Sequence, residues 1–182
     1  LNYLPNTVPA ASSARVRMKH LVLMRHAKSD WSGATSDHDR PLNTRGRASA
    51  TALGDWLRQQ EIAPDTVLCS TATRAAETLD GLALAPGAEV HFTRDLYLAE
   101  AERILAKLRE ASGDTVLIVG HNPGIGIMAE MIVEMPANGG IDHYPTGTTL
   151  VATVDVKDWA DVKWRTGKMN QMVVPRDLPA SQ

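Results

Sequence analysis

The sequence predicts an α/β protein in which helices cover both faces of a mixed, mostly parallel sheet, giving a three-layer α/β/α sandwich. Three short, mostly apolar runs, at 20–24, 66–70 and 115–120, are typical of buried parallel strands. Segments with helical spacing of apolar residues lie between them. Two segments with alternating polarity, at 148–156 and about 162–174, predict a closing antiparallel hairpin. Strands that alternate with helices and end in a hairpin favour this architecture.

The helices are predicted from start and stop signals. Asn43 is a suitable cap for a helix over about 44–60, and Gly81 marks the end of a helix that starts at 71 or 72. A third helix is expected over about 101–111. The fourth should begin after residue 120, with Asn122 as its N-cap and Pro123 at the first helical position. The remaining elements are a short edge strand at 90–93 and a loop at 136–145.

Chain length and composition favour one domain. The chain has 182 residues, of which 43% are hydrophobic and 22% charged, and these are ordinary globular values. We expect a single domain over residues 18–182. Residues 1–17 contain two prolines and no period of 2 or 3.6, which predicts a flexible tail.

Charge and cysteine usage limit the function classes. A formal net charge of −2 gives no general attraction to nucleic acid or to an anionic membrane, so any anion site must be local. The single cysteine, Cys69, excludes an intramolecular disulfide framework and argues against a structural zinc site. No apolar run approaches the ~20 residues that span a bilayer. These features predict a soluble cytoplasmic protein, for which a monomer is favoured.

Basic side chains follow all three predicted parallel strands. Arg25 and His26 end the first strand, Arg74 lies in the first turn of the helix after the second, and His121 ends the third. The carboxyl edge of an open α/β sheet is where ligands bind. Guanidinium and imidazole groups beside helix N-termini suit a phosphate, so the sequence predicts a phosphate pocket at this edge.

The segments that carry these residues also identify a family. RHAKSDW, DRPLNTRGRASA, STATRAAETL and VGHNPGI, in this order and spacing, resemble the histidine phosphatase superfamily, and the first and last resemble its SixA-type phosphohistidine phosphatase branch. The resemblance covers about residues 19–155. It implies a phosphoglycerate mutase-like fold and a metal-independent phosphatase without a cofactor, in which His26 becomes phosphorylated during turnover.

The resemblance also implies roles for other residues. Arg25 and Arg74 would clamp the phosphoryl oxygens, and His121 would donate a hydrogen bond to them. The backbone N–H of Asn122 would add to that donor. In the first motif, two hydroxyl positions are implied to bind substrate, Ser29 and Ser32, although many relatives have Asn where Ser32 stands.

The general acid has three candidates. Many superfamily members supply a carboxylate after the third strand, and Glu100 lies nearest to the expected place, with Asp95 and Glu102 as alternatives. The presence of an acidic residue at position 100 is equally explained by its favourable interaction with the helix macrodipole at a helix N-terminus. SixA-type enzymes resemble each other in lacking a clear acid, which a phosphoramidate substrate tolerates because imidazole leaves more readily than an alkoxide.

Three functions remain open at this stage. A phosphohistidine phosphatase acting on proteins is expected, because the short chain offers no long insertion to roof the pocket. A small phosphomonoester substrate is the alternative enzyme, and a phosphate-binding or phosphohistidine-binding module without turnover is the alternative class. A cysteine-dependent phosphatase is disfavoured, because four residues rather than five separate Cys69 from Arg74.

Overall fold

The computed structural model describes residues 18–134 and 140–179, and within them six strands form one mixed sheet. The first four strands are mutually parallel. The fifth runs antiparallel to the first, and the sixth, at the edge of the sheet, runs antiparallel to the fifth. Their order across the sheet is β3-β2-β4-β1-β5-β6. The strands are β1 (Lys19–Arg25), β2 (Thr66–Ser70), β3 (Glu89–Thr93), β4 (Thr115–Gly120), β5 (Thr149–Val154) and β6 (Gly167–Val173).

Four α-helices in the described residues complete the three layers. They are α1 (Thr44–Gln59), α2 (Thr73–Gly81), α3 (Ala101–Arg109) and α4 (Gly124–Ile132). Side chains of β1 alternate between two cores: Val22 packs with residues of α1 and α2, whereas Leu23 packs with residues of α3 and α4. Because a strand with apolar side chains on both faces must be covered twice, this central position follows from its sequence. The predicted α/β/α sandwich is confirmed.

The register of the parallel strands brings the polar strand ends together. Arg25 pairs with Gly120 across β1 and β4, and Cys69 pairs with Val119 across β2 and β4. His26 follows Arg25, Ser70 follows Cys69 and His121 follows Gly120, so these three polar residues lie at the ends of adjacent strands. Apolar runs of matched length are what align these polar residues at one edge of the sheet.

Two local predictions are wrong. Asn122 does not cap α4, because Pro123 occupies the cap position after a cis peptide bond and the Asn122 side chain donates to the Tyr144 carbonyl instead. The strand predicted over 162–174 forms only at Gly167–Val173, because a 3₁₀ turn, Trp159–Asp161, and the loop after it precede it.

Other bounds agree within a few residues, and Asn43 caps α1 by accepting from the Gly46 N–H at 2.8 Å. The predicted tail at 1–17 and residues 136–139 of the predicted loop at 136–145 lie outside the described residues. No helix in the described part of the chain combines the length and apolarity that crossing a bilayer requires.

Candidate active site

The two histidines predicted for the phosphate pocket lie side by side at the carboxyl edge of the sheet. The ring centroids of His26 and His121 are 5.1 Å apart, and both residues are buried. His26 directly follows β1, where its backbone N–H donates to the Gly120 carbonyl at 3.0 Å. The neighbouring ends of β1 and β4 therefore fix both rings in one place.

The hydrogen bonds of His26 assign its tautomer. Nδ1 lies 2.7 Å from the carbonyl oxygen of Ala27, and because a carbonyl only accepts, Nδ1 carries the proton. The lone pair is then on Nε2, which accepts from Nε of Arg74 at 3.3 Å. Burial, together with the nearby charge of Arg74, lowers the pKa of His26 to about 3. At neutral pH, His26 presents an uncharged, nucleophilic nitrogen.

His121 is held differently. Its Nε2 lies 2.7 Å from the hydroxyl of Ser70, whose oxygen also accepts from the backbone N–H of Ala72. The Ser70 hydroxyl can thus donate to Nε2, which leaves the proton of the neutral ring on Nδ1. That Nδ1 is buried and has no protein partner. Burial, followed by the neighbouring His26, lowers the pKa of His121 to about 3.

Arg74 is the most constrained cation of the site. It is 2% exposed, and besides its contact with His26 it donates twice to Asp37, once to the backbone carbonyl and once to carboxylate Oδ2 at 3.0 Å. The Asp37 carboxylate also accepts from the Tyr97 hydroxyl at 2.6 Å and from Arg40 at 2.8 Å. These bonds, that of Tyr97 first, hold the pKa of Asp37 far below its usual range. A charged carboxylate therefore fixes the guanidinium beside the His26 nitrogen.

Arg25 reaches the site from the last residue of β1. Its terminal NH1 donates to the Tyr144 carbonyl at 3.0 Å, while its buried Nε has no protein partner. Burial and the proximity of Arg74 lower the pKa of Arg25. Tyr144 is itself anchored, because its hydroxyl donates to the Leu23 carbonyl at 2.6 Å. Because the charge of Arg74 lies close enough to lower the pKa of Arg25, the two guanidinium groups make a site that favours an anion.

Unpartnered buried polar atoms concentrate at this edge. Five such side-chain atoms occur in the described residues, and all belong to residues of the site or of the loops against it. Buried polar groups are normally hydrogen-bonded, so a cluster of exceptions marks a place for a polar ligand. The atoms are Nε of Arg25, Nε of Arg40, Nδ1 of His121, Oδ1 of Asn122 and Oγ1 of Thr148.

The other predicted site residues lie around this centre. The buried Ser29 hydroxyl contacts Arg40, and Asn122 contacts the same Tyr144 carbonyl as Arg25. Ser32 is exposed and donates to Asp30 at 2.7 Å. Glu100 is exposed at the residue before α3, and its Cα would lie 3.2 Å from a Cβ added to Gly124, the first residue of α4. The structure thus brings Arg25, His26, Arg74 and His121 together, with Glu100 at the rim and Ser32 hydrogen-bonded at the surface.

Sequence reasoning missed the groups that hold these side chains. Asp37 and Arg40 lie in a polar loop without periodicity, and only their place beside a quoted motif, DRPLNTRGRASA, could have drawn attention to them. Tyr97 lies 60 residues from Asp37, in a segment with no motif, yet its ring contacts His121 edge-on at 5.5 Å between centroids. Ser70 was predicted only as a strand end.

Neither a thiol nor a metal competes for this role in the described residues. Burial raises the pKa of the Cys69 thiol to about 12, which suits a strand residue rather than a nucleophile. No group of three or more His, Cys, Asp or Glu side chains within residues 18–134 and 140–179 could hold a metal ion.

Comparisons with known proteins indicate the family of the chain. The sequence model of the histidine phosphatase superfamily (branch 1) matches residues 21–100. An uncharacterized protein of Mycobacterium tuberculosis is 34% identical over 161 residues, which cover 84% of this chain and all of that protein. Phosphohistidine phosphatase SixA of Escherichia coli is 27% identical over 81% of this chain and 93% of its own.

A solved structure is also similar to this chain. The structure of a putative phosphohistidine phosphatase SixA from Nakamurella multipartitia superposes with a TM-score of 0.79 at 34% identity, covering 87% of this chain and 96% of that one. The chain belongs to the histidine phosphatase superfamily (branch 1), as a hydrolase with phosphatase function that resembles the SixA proteins.

Proposed function

We propose that this chain removes phosphate from phosphohistidine on proteins, through a covalent intermediate on His26. The observation that carries the proposal is the state of His26: a buried, uncharged imidazole whose Nε2 lone pair lies 3.3 Å from Nε of Arg74. A nitrogen prepared in this way attacks phosphorus without first losing a proton. The resemblance to SixA supports phosphohistidine as the substrate.

The reaction would take two displacements. In the first, Nε2 of His26 forms a bond to phosphorus as the bond from phosphorus to the substrate imidazole breaks. The leaving imidazole departs neutral when its other ring nitrogen already carries a proton, so no acid has to reach the leaving atom. Water then attacks phosphorus, releases inorganic phosphate and restores the lone pair on Nε2. The Nδ1 proton of His26 stays with the Ala27 carbonyl throughout.

The surrounding cations would stabilise the transferring group. Arg74 and Arg25 supply positive charge that spreads over the phosphoryl oxygens, and Nδ1–H of His121 is a buried donor without a protein partner. The fixed position of Arg74, held by Asp37, limits the reorganisation that the transition state requires.

The open rim supports a macromolecular substrate. The Asp37 side chain is 44% exposed although it contacts Arg74, and Trp31, which stacks on Arg40 with 3.6 Å from Cζ to the ring centroid, is 73% exposed. Asp37, which contacts the Arg74 side chain beside the nucleophile, is thus accessible from outside. This exposure supports entry of a phosphorylated side chain on a protein surface.

The position of Glu100 favours a second candidate, a phosphatase for small monoesters. An alkoxide is a poorer leaving group than imidazole and needs a proton, which a carboxylic acid at the rim could supply. If Glu100 serves this purpose, Glu100→Gln lowers kcat on p-nitrophenyl phosphate more than on a phosphohistidine protein. Equal losses on the two substrates, or none, would remove Glu100 as the acid.

The decisive experiment compares wild type with His26→Ala on both substrates. We expect release of phosphate from a phosphohistidine-bearing protein by wild type, and a loss of at least about a thousandfold in kcat on both substrates in the variant. Near-wild-type turnover by His26→Ala would remove the mechanism. Binding of the phosphoprotein by wild type without turnover of either substrate would instead support a phosphohistidine-binding module.

A further inference from the structure

A basic groove of about 620 Å³ lies beside the His26 end of β1, against the start of α1. Three cationic side chains line it, Lys28, Arg45 and Arg176, and no carboxylate does so in the described part of the chain. The formal net charge of the whole chain is −2. Three cations that line one groove without an acid therefore represent a local concentration of charge that differs from the average surface.

The groove is built into the same backbone that carries His26. The Lys28 carbonyl accepts from the Asn43 N–H at 3.0 Å, and α1 packs so closely on it that a Cβ at Gly46 would lie 2.0 Å from that oxygen. This contact fixes Lys28 beside the first turn of α1, where Arg45 lies.

Arg176 is fixed on the opposite wall in a similar way. It belongs to a 3₁₀ turn, Pro175–Asp177, whose proline would lie 2.4 Å from a Cβ added to Gly147. Gly147 has a φ of +78° and donates its N–H to the His26 carbonyl at 3.0 Å. Both basic walls are thus one or two backbone contacts away from the nucleophile.

Stabilisation of the fold accounts for little of this cluster of cations. Lys28 and Arg45 are exposed and form no ion pair within residues 18–134 and 140–179, and Arg176 lies only within 3.7 Å of its neighbour Asp177. The first turn of α1 contains no acidic residue, and Arg45 stands at the positive end of the helix dipole, where a cation is unfavourable. Exposed cations without an ion pair near a reaction centre, as Lys28 and Arg45 are among the described residues, fit an anionic partner.

The opposite side of the site has the reverse charge. A cavity next to Tyr97, whose ring contacts His121, is lined by Asp95, Glu100 and Glu102, with Arg103 as its cation. The mouth of the site is therefore basic on the His26 side and acidic on the His121 side. Such a charge pattern orients a large partner, since reversing the partner would set like charges against each other.

We propose that the groove of Lys28, Arg45 and Arg176 docks an acidic segment of the polypeptide that carries the phosphohistidine. This inference rests on the proposed function, because it assumes a protein substrate, and it adds the chemistry that selects that substrate. Carboxylates on one side of the phosphohistidine would face the groove and set the direction in which the chain crosses the site. The groove would not strengthen the binding of a small phosphomonoester.

The test uses a phosphohistidine peptide flanked on one side by a run of glutamates, a matched peptide with glutamines, and p-nitrophenyl phosphate. In the double variant Arg45→Glu/Arg176→Glu we expect kcat/KM on the glutamate peptide to fall at least about tenfold at low salt, through KM. Activity on p-nitrophenyl phosphate should stay within about twofold. The matched control is Lys163→Glu/Lys168→Glu, which makes the same charge change just before and at the start of β6, near the amino end of β1 and so at the end of the strands opposite the groove.

Binding provides a second readout that does not need turnover. With His26→Ala in both backgrounds, the unphosphorylated glutamate peptide should bind at least about tenfold more weakly to the groove variant, and addition of salt should remove the difference. If wild type fails to hydrolyse phosphohistidine but this difference remains, the proposed function fails and the docking surface stands. The docking proposal is overturned by equal losses on p-nitrophenyl phosphate and the glutamate peptide, by equal losses in the control, or by unchanged peptide binding.

Discussion

His26 and His121 occupy equivalent places, each directly after a central strand, and burial keeps both uncharged, yet their hydrogen bonds differ. Behind His26 stands a backbone carbonyl, which can only accept and therefore leaves the lone pair on Nε2. Behind His121 stands the Ser70 hydroxyl, which can donate and then leaves a proton on Nδ1. The comparison teaches that the atom behind an imidazole ring determines which nitrogen keeps the lone pair and which carries the proton.

The first way to break this comparison is to remove the donor and keep the nucleophile. In His121→Ala we expect kcat on p-nitrophenyl phosphate to fall about hundredfold, because a buried donor to the phosphoryl oxygens is lost. The loss should be smaller than in His26→Ala, and acid-quenched protein should still carry phosphate on His26. His121→Gln, which keeps an N–H donor, should recover part of the rate. A loss as complete as in His26→Ala, without phosphoenzyme, would make the two histidines one functional unit.

The second test of the comparison is to protonate both imidazole rings by lowering the pH. Each histidine has a folded pKa of about 3 against 6.5 for the free side chain, so below pH 6.5 the unfolded chain binds more protons than the folded one. The free energy of unfolding should therefore fall as pH drops from about 6.5 towards 3, by up to about 1.4 kcal/mol per pH unit for each ring. Urea unfolding at pH 7, 6 and 5 measures the slope.

A double variant tests whether the two histidines cause this pH dependence of the free energy of unfolding. His26→Gln/His121→Gln should show a clearly shallower fall over the same range, while Asp37 contributes to either protein only when pH approaches its unfolded value near 4. An unchanged slope in the double variant would mean that other groups take up the protons and that the two rings are not held uncharged.

The difference between the histidines also shows what sequence could and could not predict. His26 and His121 were placed in one pocket because each ends an apolar run, and buried parallel strands align their ends. The contacts of Ser70 with His121 and of Tyr97 with Asp37 join residues 51 and 60 positions apart. Such pairs depend on side-chain packing across elements, which no local period encodes. The wrong Asn122 cap has a related cause, since the Tyr144 carbonyl competes for that side chain.

The third test concerns the surroundings of His26 and removes the carboxylate that holds Arg74 in place. Asp37→Asn leaves Arg74 without its charged partner, so we expect kcat to fall about tenfold as the guanidinium loses its fixed position. KM should not rise, because the substitution removes a negative charge from the neighbourhood of a dianionic phosphate. Steady-state kinetics on p-nitrophenyl phosphate separates the two constants. Asp39→Asn, which removes a carboxylate from the same loop without touching Arg74, should change neither.

The fourth and smallest effect concerns the atom behind His121. Ser70→Ala deletes the hydroxyl that selects the Nδ1–H tautomer, so the ring can place its proton on either nitrogen and only part of the protein presents a donor. We expect kcat to fall about threefold, the scale of one neutral hydrogen bond. Ser70→Thr keeps a hydroxyl and should retain the rate, and ¹⁵N chemical shifts of the imidazole report the tautomer directly. If the shifts show the same tautomer with and without the hydroxyl, Ser70 does not select it, and the contrast between the two histidines must come from elsewhere in the pocket.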